Sequence, residues 1–282
     1  MKNLTLITGL LAALALALPA GAANAAVVSL DGTDDYMSFG GTGVPTGNAV
    51  FSVEAWINTD TADKPGANEG QIVYFWGNES SDNSHGLVLK DATHSAVPDQ
   101  VNFFVWAQPN ATLTQTTTDL ANPTGGPNGD GWRYLAVTYD GSLRTIYVDG
   151  ALEDSVADTS MTIAAANYMI GKRPGGEAFD GLIDEVRIWN KALSAGEIAA
   201  QWNQKLTGSE SGLVAYFDFE NGTTDVAGGN NTGTLFNGAS IDLNSNAPLV
   251  FEAATIPEPA SLAVWALGAL GLVWYRRGGR RR

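Results

Sequence analysis

The stretch Phe51-Ser52-Val53-Glu54-Ala55-Trp56-Ile57-Asn58 decides the fold. Successive side chains of an extended chain point to opposite sides, so Phe51, Val53, Ala55 and Ile57 share one face and Ser52, Glu54, Trp56 and Asn58 the other. Apolar against largely polar at a period of two predicts a strand with one buried face. Segments of the same kind recur at 71–76, 86–90, 101–107, 132–139, 143–149, 167–171 and 182–189, separated by Gly, Asn and Asp clusters. Asp149-Gly150 lies between two of these runs, and a two-residue hairpin turn needs positive φ at both positions, which Asp-Gly tolerates. One helix is expected. Ser194 with Glu197 three residues on makes a capping box, and Ile198, Trp202 and Leu206 follow at helical spacing. The Thr-, Asn-, Pro- and Gly-rich stretch 107–131 is expected to be a hairpin or long loop, since strand signals flank it. Many short strands and a single helix predict an all-β, two-sheet antiparallel sandwich or jelly roll.

The ends of the 282-residue chain read differently from this body. Lys2, an apolar run over Leu4 to Leu18 and the small-x-small site Ala23-Asn24-Ala25 predict a signal peptide over 1–25. The folded domain is expected over 26–250, with a linker at 251–255. Beyond it stand Ile256-Pro257-Glu258-Pro259, an uncharged run from Ala260 to Tyr275, and Arg276, Arg277, Arg280, Arg281 and Arg282. A helix over 260–275 would rise about 24 Å, against a hydrocarbon core of about 30 Å, so it would be a short span held by arginines on the cytoplasmic side.

Taken together, Pro257-Glu258-Pro259, the short apolar helix and the arginine cluster resemble the PEP-CTERM sorting signal of Gram-negative bacteria over 256–282. The resemblance implies an exosortase as partner, cutting near the triplet. It also implies export by the Sec route, a transient anchor in the inner membrane, and delivery to the cell surface or extracellular matrix.

Charge and cysteine content exclude several functions. Without Lys2, the five terminal arginines and Glu258, the body keeps 9 basic and 29 acidic residues, a net charge near −20. Such a field repels nucleic acid and anionic lipid from the folded part. The chain has no cysteine, which removes thiol catalysis, iron–sulfur clusters and thiolate zinc sites, and leaves stability to sheet packing and metal.

A second resemblance rests on Ser29-Leu30-Asp31-Gly32-Thr33-Asp34-Asp35-Tyr36, the Phe51–Ile57 run, Trp132–Gly141, Tyr147-Val148-Asp149-Gly150, Ile170-Gly171-Lys172-Arg173 and Phe179–Ser194. In this order they are similar to the LamG-like, concanavalin A-like jelly-roll domains of bacterial surface proteins. The resemblance implies two antiparallel sheets with the first and last strands adjacent, and in many relatives a structural calcium. Here the implied ligands are Asp31, Asp34 and Asp184. Alternation by itself puts Asp184 on the face of Leu182, Val186 and Ile188, towards the core. A carboxylate there must meet a cation, accept N–H bonds or be protonated.

Catalysis finds little support. Hydrolases of this fold carry Glu-x-Asp-x-x-Glu or a close variant, which is missing; Asp218-Phe219-Glu220 is the nearest approach. His85 and His94 lie near expected turns and are read as solvated. Of the tryptophans, Trp56 and Trp106 are the candidates for exposure and sugar stacking, the others being expected to pack. The function expected is an exported, noncatalytic surface or matrix protein that binds polysaccharide or protein ligands. The alternative is a glycan-active hydrolase or lyase.

Overall fold

The computed structural model describes residues 26–59, 70–79, 83–90, 100–105, 114–115, 120, 125–127, 129–159, 161–243 and 251–252. The expected signal peptide, the tail 256–282 with Pro257, Glu258, Pro259, Arg276 and Arg277, as well as Trp106 and His94, lie outside the described residues.

In chain order the strands are β1 (Val27–Asp31), β2 (Tyr36–Ser38), β3 (Phe51–Asn58), β4 (Gln71–Asn78), β5 (Asn83–Lys90), β6 (Gln100–Val105), β7 (Thr114–Gln115), β8 (Trp132–Tyr139), β9 (Leu143–Val148), β10 (Ala151–Ala157), β11 (Met169–Ile170) and β12 (Asp180–Trp189). Helix α1 (Ala195–Gln201) follows, then β13 (Gln204–Lys205), β14 (Leu213–Phe217), β15 (Thr234–Phe236), β16 (Ser240–Asp242) and β17 (Phe251–Glu252). The first sheet runs β10-β9-β8-β3-β12-β1-β16, with β14 on the far half of β12; the second runs β15-β2-β11-β4-β5-β6-β7. All pairs within these two sheets are antiparallel. The fold is thus all-β with two antiparallel sheets and one short helix, as expected. The first strands meet the last ones, β1 on β16 and β2 on β15. Phe251–Glu252, expected in the linker, pair in parallel with Gln204–Lys205. Among the described residues no helix is long and apolar enough to cross a membrane.

The main core lies between the sheets. It takes Phe51, Val53, Ala55 and Ile57 from β3, Leu135 and Val137 from β8, Leu87 and Leu89 from β5 and Ile146 from β9. Alternation in β3 therefore holds, but its second face is buried as well: only Asn58 of the strand is partly exposed. A second apolar cluster on that face joins Trp56, Trp132, Tyr134, Tyr147 and Trp189 to Leu193 and Ile198, with Trp202 and Leu206 packed against it. Helix α1 is what covers it. Ser194 accepts from the Glu197 N–H while Glu197 accepts from the Ser194 N–H, so the capping box forms as the sequence indicates. At the hairpin, Asp149 and Gly150 both have positive φ, 49° and 79°. A Cβ on Gly150 would lie 2.6 Å from the Trp202 ring, so this glycine also lets the segment after α1 close on the sheet.

Candidate functional site

Three carboxylates converge on the turn between β1 and β2. Oxygens of Asp31, Asp34 and Asp35 all lie within 4.8 Å of one another, Asp31 and Asp34 exposed and Asp35 buried. Asp35 accepts from the Asp31 N–H at 3.1 Å and from the Gly238 N–H at 2.6 Å, and Asp31 Oδ1 accepts from the Thr33 N–H at 2.7 Å. The Asp34 carbonyl takes Asn237 Nδ2 at 2.7 Å and Lys172 Nζ at 3.5 Å. The loop therefore ties the first hairpin of the domain to the turn before its last main-sheet strand. Asp35 was missed in the sequence although it adjoins Asp34, because an acid at a strand's edge carries no mark of its final hydrogen bonds.

Asp184, expected as the third ligand, is not in this group. Asp31 pairs with Asp180, and Asp184 lies four residues further along β12, about 13 Å at roughly 3.3 Å per residue. Nor does it face the core. The β3–β12 register shifts between Asp184 and Arg187, and Glu185 sits at φ 51°, a β-bulge. Ile183 is in the main core before the bulge, and Val186 and Ile188 after it, so one extra residue turns Leu182 and Asp184 to the opposite face, across from Trp56. Asp184 is buried there and accepts the Glu185 N–H at 2.7 Å. Burial above all, then the charges of Glu185, Glu220 and Asp218, push its carboxyl well above the usual carboxylate range; the Glu185 N–H works the other way. The compensation is thus protonation and one hydrogen bond. Asp218 Oδ2 has Lys205 Nζ at 3.8 Å. Asp218 and Glu220 flank Phe219, whose positive φ of 54° sends its ring into the main core.

The same outer face holds a buried ionic layer that sequence reasoning did not find. Arg187 Nη2 donates to Glu185 at 2.5 Å and to the Gln204 carbonyl at 2.6 Å, and Nη1 donates to the Gln201 carbonyl at 3.3 Å. Glu54 lies 3.8 Å from Arg187 and accepts from Trp189 Nε1 at 2.8 Å, Gln201 Nε2 at 3.2 Å and the Tyr134 hydroxyl. Tyr216 donates to Glu185. Burial opposes the guanidinium charge, but Glu185 and Glu54 outweigh it and hold Arg187 above its ordinary pKa. Burial, then Glu54, pushes the Tyr134 hydroxyl up. Trp56 belongs to this layer: it is fully buried, stacked on Trp202 at 5.6 Å and donating to the Trp202 carbonyl at 3.2 Å. Its expected exposure is therefore wrong, because the chain after α1 closes over it. His85 is corrected too. It sits inside β5 among Phe51, Tyr74, Trp76 and Phe103, where burial, then Arg144, lowers its pKa well below the usual imidazole range.

On the outer face of the second sheet a pocket of about 300 Å³ opens between Tyr36, Ser38, Asn167, Met169, Lys172 and Pro174. Tyr36 and Phe236 are directly opposed on β2 and β15, and their rings stack with centroids 4.7 Å apart and planes 8° apart. Lys172 Nζ lies 5.7 Å from the Tyr36 ring. The pocket and the acid loop are neighbours, since Asp34 and Asp35 lead into Tyr36.

This geometry can be set beside known proteins. Residues 31–199, more than half of the chain, match the family model described as the concanavalin A-like lectin/glucanases superfamily, and the chain belongs to that family. A crystal structure from Bacteroides ovatus, of a protein described as a candidate carbohydrate-binding protein, superposes with a TM-score of 0.60 at 22% identity, covering 80% of this chain and 62% of that one. The aligned part is thus less than two thirds of the Bacteroides chain. The SAP-like pentraxin of Limulus polyphemus aligns at 13% identity over 77% of this chain and 94% of its own, TM-score 0.49. Domain 4 of the GH43 extracellular arabinanase of Geobacillus stearothermophilus aligns at 20% identity over 62% and 75%, TM-score 0.44. A search of curated proteins found no match.

Proposed function

We propose that this chain is a noncatalytic carbohydrate-binding module of the cell surface or extracellular matrix, exported by the Sec route and sorted by an exosortase through its PEP-CTERM tail. The observation that carries the binding role is the pocket at Tyr36, Ser38, Asn167 and Lys172 beside a stacked aromatic pair, on the sheet face opposite the helix-covered one. Small polar groups and apolar rings converging on one hollow are what a sugar ring meets in a protein site. Family membership supports the same reading, and the relative from Bacteroides is described in those terms. The acids nearest to a catalytic set, Asp184, Asp218 and Glu220, lie on the other sheet, and Asp184 shares its face with the helix-covered layer. The test is a glycan array probed with the full chain, alongside hydrolysis and lyase assays on the same polysaccharides. Binding without turnover is expected; turnover lost in Asp218→Asn would overturn the noncatalytic reading.

Calcium is proposed at the acid loop. The donor set of Asp31, Asp34 and Asp35 is all oxygen, and Asp35 is already aligned by two N–H groups, which fits a hard cation. A bound cation would offset three crowded negative charges and cross-link the β1–β2 and β15–β16 turns. Calcium in large excess over its Kd, at about a hundredfold, should stabilise by about 2.7 kcal/mol in thermal melts, and Asp34→Asn should abolish the gain. Identical melts in calcium and in chelator would end this assignment.

A further inference from the structure

The pocket's surroundings also specify the kind of sugar, an inference that rests on the carbohydrate reading above. Stacking needs an exposed ring, and among the described residues the only aromatic side chain in the exposed class is Phe236, 39% accessible. Every described tryptophan is buried or half-buried. Phe236 stands against Tyr36, which lines the pocket, so the pair extends the wall by a second ring. A flat apolar edge of this size next to Ser38 and Asn167 suits the C–H face and the hydroxyls of a pyranose. Asn167 Nδ2 is already committed to the Gly77 carbonyl at 2.9 Å, so its Oδ1 is the pocket acceptor. At about 300 Å³ the space is at the lower end of ligand pockets, about 300–1,000 Å³, enough for a short stretch of chain.

Charge then chooses among glycans. Lys172 is the one cation of the pocket lining, and its Nζ is turned to the Asp34 carbonyl and the Tyr36 ring. Three carboxylates stand immediately beside it at Asp31, Asp34 and Asp35, and the whole chain carries −15. A uronate or sulfate entering here would gain one ammonium and approach three like charges, within a Debye length of about 8 Å at physiological salt. A hydroxyl meets no such opposition and still receives a hydrogen bond from Lys172. We infer that the ligand is a neutral hexose polysaccharide, held by Tyr36 and Phe236 through stacking and by Lys172, Ser38 and Asn167 through hydrogen bonds.

Calorimetric titration of the full chain with neutral probes (cello-, manno- and laminari-oligosaccharides) and acidic probes (oligogalacturonate and oligomannuronate), each at low and high salt, tests this. The expected result is binding of a neutral oligomer with an affinity that salt leaves unchanged. Phe236→Ala should weaken it about tenfold, the worth of one stacking contact. Lys172→Gln, which keeps a donor and loses the charge, should stay within about threefold of the parent, and circular dichroism and melting of both variants report folding. Tighter binding of an acidic oligomer that fades in high salt overturns the inference, and so does neutral binding that Phe236→Ala and Tyr36→Ala leave untouched. Absence of binding to every probe, with the fold intact, overturns the carbohydrate reading itself.

Discussion

The two faces of the first sheet are both buried, and they are buried by different chemistry. Towards the second sheet, β3 and β12 present Val53, Ala55, Ile57, Ile183 and Ile188, and stability there is a matter of apolar volume. Towards α1 the same strands present Glu54, Trp56, Asp184, Arg187 and Trp189, and one guanidinium serves two carboxylates and two backbone carbonyls. The first face tolerates any shape that fills it. The second depends on partners: Arg187 supplies the donors that the carbonyls at the end of α1 lack, so it orients the helix on the sheet.

That contrast can be broken at its ionic side first. Arg187→Met leaves Glu54 and Glu185 buried without their cation and should cost about 3–5 kcal/mol, read as a fall in the urea midpoint. Replacing Glu54, Glu185 and Arg187 together by apolar residues of similar size should recover most of that loss; if the triple variant is as unstable as the single one, the layer is more than a set of compensating charges. On the apolar side Ile57→Ala should cost about 2–5 kcal/mol with no recovery from any second charge change. Gly150→Ala probes the joint between the two faces, where a left-handed turn meets the Trp202 ring. Backbone strain alone should cost about 1–2 kcal/mol, and tryptophan fluorescence should report a displaced Trp202.

The smallest effect sharpens the comparison through pH. Folding raises the Asp184 pKa, so as pH climbs the unfolded chain gives up this proton first. The group costs nothing below the ordinary carboxylate pKa of about 3.8 and costs progressively more above it, until the folded pKa is reached. Asp184→Asn keeps an oxygen for the Glu185 N–H and removes the titration. Its melting temperature should match the parent in acid and exceed it increasingly towards neutral pH. An advantage that is the same at all pH values would mean that packing, not ionisation, separates the two.

Much of the architecture was legible because it is written locally. Alternation in 51–58, Asp149-Gly150 and the Ser194/Glu197 box each involve groups within a few residues, and each forms as read. The candidate site was legible only in part. Asp31 and Asp34 share one turn and meet, whereas Asp184 was joined to them by an alternation that a bulge interrupts. Nothing in Leu182–Trp189 announces that extra residue. Trp56 was misjudged for a related reason, since its own strand shows that it leaves the main core but cannot show that a helix almost 150 residues later will cover it.

By itself, then, the chain's sequence determined the fold class, the hairpin, the helix start and the residues that alternate, because short-range sterics and hydrogen bonding settle those. Tertiary structure alone decided which face Asp184 joins, which third acid completes the loop, and where an aromatic ring stays open to solvent. These depend on strand register and on distant segments closing over a surface, and a one-residue slip in register reverses every side chain beyond it.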